Sequence, residues 1–207
     1  DAIIQVNIGL NKPFYTDTKA ASKLDTFHVL VNKYRYLPSN YVPSNMVKTS
    51  KNAKASLYLN RVAYENFLQM ANDAYQEDHF KLRITSAYRS YNYQENLYQN
   101  YLKYDSKDIV DTYSSRPGYS EHQTGLAIDI DNEILDYNRF HLTMEFTWMQ
   151  NNAYKYGFIL RYPLGKEKIT GYKYEPWHYR YVGNDIAKYL HDNDLTFDEY
   201  YMEFLDN

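Results

Sequence analysis

The 207-residue chain contains no cysteine. That single absence excludes a disulfide-stapled scaffold, a thiolate metal site and a cysteine nucleophile. It leaves the compartment open, because many exported proteins carry no disulfide. Charge of one sign is lacking too: 26 acidic side chains stand against 23 basic ones, for a formal net charge of −3. Nucleic acid is therefore not an expected partner, since its footprint is a strongly basic surface. No apolar run approaches the ~18 residues of a membrane span, and the longest, such as Phe27 to Val31, are strand-sized. Internal repeats, low-complexity tracts and linkers are absent as well. A chain of this length closes one hydrophobic core, so a single domain is expected, and a monomer. It begins at Asp1 rather than Met, which is the expectation for a protein whose export signal or anchor has been removed.

What is abundant is tyrosine, 26 residues against 9 Phe and 2 Trp. Its apolar body and polar tip suit a core and a wet, ligand-holding groove alike. Periodicity predicts strands at Phe27–Val31, Leu82–Ser86, Gly125–Ile130 and Phe158–Tyr162, with an extended stretch at Tyr172–Val182. Helices are expected at Asn52–Gln76, Asn92–Tyr104, Thr143–Tyr156, Asp185–His191 and Phe197–Leu205. Gly157 should stop the third of these, and Thr196 with Glu199 should cap the last. The polar loop 105–121 exceeds the usual length of a plain connection, which marks a segment as functional or disordered. The fold class is α+β.

Six histidines occur, and two sit in informative company. His122 lies in Ser120-Glu121-His122-Gln123-Thr124-Gly125-Leu126-Ala127-Ile128-Asp129, and His178 in Glu175-Pro176-Trp177-His178. Imidazole and carboxylate are the zinc ligands available without cysteine. On a perfect strand His122 and Asp129, seven residues apart, would point to opposite faces. They converge only if Gln123–Gly125 forms a turn or bulge, which Gly125 permits. His178 is the best candidate for a third ligand. Two imidazoles and one carboxylate leave a fourth position for water, as in a catalytic site. Glu175 precedes a proline, so it is extended; it stands three residues before His178, close enough to serve as a general base.

These motifs together resemble the zinc D,D-carboxypeptidases of the VanY type, a group related to the L,D-carboxypeptidases of bacterial cell walls. The resemblance rests on Ser120-x-His122, Gly125-x-Ala127-x-Asp129 and Glu175-x-Trp177-His178. It continues upstream in Val31-Asn32-Lys33-Tyr34, Leu37-Pro38, Tyr41-Val42-Pro43 and Ser86-Ala87-Tyr88-Arg89-Ser90 with Gln94. Arg116-Pro117-Gly118 and Tyr179-Arg180-Tyr181-Val182-Gly183 also fit, so coverage runs from about residue 28 to 190. The resemblance implies a small antiparallel sheet carrying the metal and flanked by helices, a D,D-peptidase/hedgehog-like fold. Residues 1–27 would be an N-terminal arm and 28–207 the zinc carboxypeptidase domain.

Carried over by position, the family pattern makes His122, Asp129 and His178 the zinc ligands and Glu175 the base that activates the attacking water. Arg89 is placed near the substrate carbonyl or carboxylate, a task its permanently charged fork suits. Gln94 and Ser120 become substrate-binding residues, and Trp177 packs beneath the metal site. The implied reaction releases the terminal D-alanine of peptidoglycan stem peptides outside the cytoplasm, at the wall or cell surface. Two alternatives are an L,D-carboxypeptidase acting on tetrapeptide stems and a wall-binding module that has lost catalysis. Glu175 speaks against the second, because a silent site has no need of a base.

Overall fold

Asn60 decides where the first long helix begins. In the computed structural model, which describes residues 8–206, its Oδ1 accepts from Val62 N (3.0 Å) and Ala63 N (3.4 Å). Helix α1 accordingly runs over Arg61–Asp78 and ends at His79 in the left-handed conformation. The apolar periodicity alone predicts a start at Asn52. Residues 52–60 go elsewhere because Asn52 has a positive φ of 50° and Tyr58–Asn60 pairs antiparallel with Met46–Lys48. The buried face of α1, Ala63, Phe67, Met70, Ala71 and Ala74, forms one wall of the main core. Each side chain as deeply buried as Phe67 contributes about 1.5–3 kcal/mol.

The opposite wall is a four-stranded antiparallel sheet of β1 (Arg83–Ser86), β2 (Ala127–Asp131), β3 (Phe158–Leu160) and β4 (His178–Tyr181), in the order β1-β2-β4-β3. All five residues of β2 are buried. Ile128 and Ile130 belong to the core with α1, so the two-residue period of a strand sends Ala127, Asp129 and Asp131 to the other face. Helix α2 (Tyr91–Tyr101) follows β1 and is capped by Ser90. Helix α3 (Met144–Asn152) is capped by Thr143 and tightens into a 3₁₀ turn that Gly157 closes at φ +79°. Helices α4 (Asn184–Asn193) and α5 (Phe197–Tyr200) build a second apolar cluster around Leu30, Val182 and Leu190. The expected capping box of Thr196 and Glu199 is present.

Two further expected elements differ. Phe27–Val31 forms no strand, although Val29, Leu30 and Val31 are buried. The carbonyls of Phe27 and Val29 accept instead from the Arg180 guanidinium, at 3.1 and 2.7 Å; a side chain does the work of a neighbouring strand. The 105–121 loop contains a helical turn at Lys107–Val110 and is pinned by an Arg116–Asp111 ion pair of 2.6 Å. Of the N-terminal segment, residues 1–7 lie outside the described residues. Ile8 and Ala21 are buried, and Lys19–Ala20 pairs in parallel with Arg35–Tyr36. The expected α+β fold, helices around small antiparallel sheets, is what the chain adopts. Among the described residues no helix is long and apolar enough to cross a membrane.

Candidate metal centre

The segment around His122 makes the turn that its spacing to Asp129 required. Glu121–Thr124 is a single 3₁₀ turn, with Ser120 Oγ accepting from His122 N at its start and Gly125 at φ +69° ending it. The chain then enters β2 and delivers Asp129 on the face opposite the apolar core. Antiparallel register places Asp129 directly across from His178, the first residue of β4. A turn from Glu175 leads into that strand, with His178 N donating to Glu175 O at 3.2 Å. Two short motifs, brought side by side by one strand pairing, therefore assemble the site.

His122, Asp129 and His178 each offer one ligand atom, and all three atoms lie within 4.8 Å of one another. Asp129 Oδ1 is 3.3 Å from His122 Nε2 and 3.4 Å from His178 Nδ1. These separations match the edges of a tetrahedron built on metal–ligand bonds of ~2.0–2.1 Å. Oδ1 is buried and has no hydrogen-bond partner among the described residues, while Oδ2 accepts from Arg89 Nη2 at 2.7 Å. An ionised oxygen left bare in the interior between two imidazole nitrogens suits a divalent cation. His122 Nδ1 lies 2.6 Å from Ala87 O. Donation to that carbonyl fixes the tautomer and leaves Nε2 as a lone pair. The donor set, two nitrogens and one oxygen, fits zinc with a coordination position to spare.

Electrostatics separate the groups. Burial, helped by Arg89, pushes His122 down to about 4, so it is neutral near pH 7. Burial pushes Asp129 up, but His122, Arg89 and His178 outweigh it and hold the carboxyl well below the usual range. His178 is pulled down by burial yet raised to about 9 by Glu121, Glu175 and Asp129. Glu175 goes the other way from Asp129: burial raises it, and His178 only partly offsets that. Its Oε2 lies 3.4 Å from His178 Nδ1, on the same edge of the ring as Asp129. Burial thus makes the Glu175 carboxylate hold a proton more readily than an exposed one.

The site opens into a cavity of about 440 Å³ whose walls include Arg89, Gln94, Ser120, Tyr137 and Trp177. Arg89 is partly occupied already, with Nη2 on Asp129 and Nε donating to Ser86 Oγ at 3.0 Å. Gln94 is buried and donates to Ser115 O at 2.8 Å, bracing the 105–121 loop. Ser120 caps the His122 turn. Trp177 differs from expectation: it is half-buried on the cavity wall, edge-on to Tyr137 at 5.0 Å, rather than packed beneath the metal ligands. His28, His79, His141 and His191 take no part in the cluster.

Sequence reasoning missed the charges behind the centre. Glu121, Arg161, Arg180 and Asp198 are all buried, and Arg161 bridges Glu121 (2.7 Å) and Asp198 (2.6 Å). A signal existed: Arg161 and Arg180 each interrupt a strand-like apolar run, and a charge inside such a run needs a buried partner.

Comparison with known proteins places these observations in context. The VanY family model, described as D-alanyl-D-alanine carboxypeptidase, matches residues 56–184. The Bacillus subtilis (strain 168) protein YodJ is 39% identical over 205 residues, covering 93% of this chain and 75% of that protein. Among solved structures, the LdcB LD-carboxypeptidase superposes with a TM-score of 0.79 at 39% identity, over 89% of this chain and 92% of that one. VanYB in complex with D-alanine-D-alanine gives 0.70 at 30% identity, over 84% and 96% of the two chains. A VanY D,D-pentapeptidase in complex with Zn(II) also gives 0.70 at 30%, over 84% and 97%.

Proposed function

The chain belongs to the VanY family of D-alanyl-D-alanine carboxypeptidases, and from that premise and the site geometry we propose that it is a zinc carboxypeptidase releasing the terminal D-alanine of peptidoglycan stem peptides. The observation that carries this reading is the bare Asp129 Oδ1 between His122 Nε2 and His178 Nδ1, with Glu175 alongside. His122, Asp129 and His178 would hold the metal. A zinc ion there supplies Lewis-acid polarisation of the scissile carbonyl and acidifies a water. Glu175 accepts the proton of the attacking water and returns it to the departing amine of D-alanine. Arg89 holds Asp129 in place with one nitrogen and faces the cavity for a substrate carboxylate or the developing oxyanion. Ser120 and Gln94 line the same cavity and would contact the peptide. The substrate class assigns the enzyme to the outside of the cytoplasmic membrane, where wall peptides are trimmed.

The family model favours the D,D reading, cleavage between two D-residues. A second reading, L,D-carboxypeptidase, is favoured by the higher identity to LdcB (39%) than to VanYB (30%). Synthetic penta- and tetrapeptide stems, incubated with the zinc-loaded protein and analysed for released D-alanine by mass spectrometry, separate the two. Pentapeptide turnover establishes D,D cleavage and tetrapeptide turnover establishes L,D. Turnover of neither rejects the enzyme in favour of a binding module.

A further inference from the structure

Each proposed histidine ligand has one nitrogen turned to Asp129 and one turned away. For His122 the outer nitrogen, Nδ1, is held by the Ala87 carbonyl at 2.6 Å. For His178 the outer nitrogen is Nε2, and the atom facing it is Glu121 Oε2 at 3.5 Å. Both atoms are buried, and neither has a hydrogen-bond partner among the described residues. The separation exceeds a formed N–H···O bond by a few tenths of an ångström, and a small swing of the ring closes it. Glu121 itself is held from the other side. Its Oε1 accepts from Arg161 Nε at 2.7 Å and from Arg180 Nη1 at 3.0 Å. Arg161 is anchored by Asp198, whose Oδ1 accepts from Asn32 at 2.8 Å. Arg180 is anchored by the Phe27 and Val29 carbonyls. The carboxylate is thus fixed with one oxygen consumed and the other aimed at the ring.

We infer that Glu121 is a positioning residue for His178, accepting a hydrogen bond from Nε2–H and so committing Nδ1 to the metal. A histidine that ligates through one nitrogen donates through the other, and its acceptor fixes both ring orientation and tautomer. Every other acceptor near His178 that the ion-pair geometry records, Asp129 and Glu175, stands on the Nδ1 side. Tyr162 covers the ring, 4.8 Å away and tilted by 53°, and presents it no acceptor at Nε2. The same 3₁₀ turn therefore supplies one ligand, His122, and the support of another. Asp198 and Asn32 extend that support to α5 and to the segment before the sheet, tying the metal centre to the C-terminal part of the fold.

The inference rests on His178 being a ligand, and the test distinguishes the two claims. The full chain, labelled with ¹⁵N-histidine, is observed by long-range ¹H–¹⁵N NMR with and without zinc. The expected result is a zinc-shifted Nδ1 and a protonated, slowly exchanging Nε2 at His178. Zinc binding through Nε2, or an Nε2–H exchanging as fast as that of exposed His191, overturns the inference while leaving His178 a ligand. His178 signals that zinc does not move overturn both. The intact protein carries this part of the test, so it does not depend on a variant folding. Glu121→Gln, checked by circular dichroism, should bind zinc roughly 10–100-fold more weakly in chelator competition, as loss of a ligand's hydrogen-bond partner does. It should also lose the protected Nε2–H signal. A folded Glu121→Gln protein with unchanged zinc affinity and an unchanged His178 tautomer refutes the assignment.

Discussion

Replacing Glu175 by Gln isolates chemistry from structure at this site. The side chain is 11% exposed, and its Oε2 lies 3.4 Å from His178 Nδ1. The local fold is held by the backbone, through Glu175 N donating to Tyr162 O and His178 N donating to Glu175 O, so Gln keeps those bonds and the volume. What it loses is basicity. General acid–base catalysis contributes typically ~10²–10⁴-fold, which corresponds to about 3–5 kcal/mol of barrier. The effect on stability has the opposite sign from most buried substitutions. Burial raises the Glu175 carboxyl, meaning that the ionised form is penalised in the folded state. That penalty applies above the unfolded carboxyl range near ~4.3 and disappears below it. Chelator-treated Glu175→Gln should accordingly unfold at the same or a higher temperature than wild type at pH 7, with the difference gone at pH 4. Zinc content should be retained, because removing a carboxylate beside His178 also weakens the proton that competes for Nδ1. D-alanine release, zinc stoichiometry and thermal unfolding are measured on one preparation. Loss of zinc would make Glu175 a ligand, and undiminished hydrolysis would place the base elsewhere; either result refutes the reasoning.

Other perturbations have equally definite outcomes. Gly125→Ala forces a side chain into φ +69°, with its Cβ 2.5 Å from Met46 Sδ; stability should drop by about 1–2 kcal/mol, and zinc affinity should drop with it, since this turn aligns His122 with Asp129. Because His178 keeps its second ring proton up to about 9, apparent zinc affinity should rise about tenfold per pH unit from 7 to 9 and then level off, and chelator competition that is flat across this range would contradict the assignment. His122→Ala should abolish stoichiometric zinc binding whereas His141→Ala and His191→Ala should not, a contrast read by metal analysis of the dialysed proteins. Arg89→Ala should lower turnover by roughly 10²-fold or more and Arg89→Lys should recover it only in part; a C-terminally amidated substrate cut as fast as the free acid would remove the carboxylate role.

Elements governed by local chemistry were legible. The cap at Thr196, the stop at Gly157 and the turn at Gly125 each depend on one or two residues whose conformational preference is strong. The start of α1 was not legible, because the apolar stripe continues through Leu57 while the backbone of Tyr58–Asn60 is committed to strand partners ten to fourteen residues away. Phe27–Val31 failed for a related reason. Its composition gave its burial correctly but not the identity of its hydrogen-bond partner, a guanidinium some 150 positions along the chain.

The same division runs through the metal centre. His122, Asp129, Glu175 and His178 fall in two stretches of the chain, eight and four residues long, and their residue types are uncommon enough to identify. Their supports are ordinary types. Glu121, Arg161, Arg180 and Asp198 have the composition of a solvated surface, and only burial sets them apart. Buried ion pairs are costly unless every charge is matched. Here Glu121 answers two arginines and still has an oxygen directed at His178. A ligand is recognised by what it is, and a supporting residue by where it stands. The second property becomes visible only after β2 and β4 have paired and closed the 3₁₀ turn against them. Even so, a single arginine inside an apolar strand is a visible conflict between charge and burial. Arg161 and Arg180 pose that conflict in sequence, and Glu121 is the residue that resolves it for both.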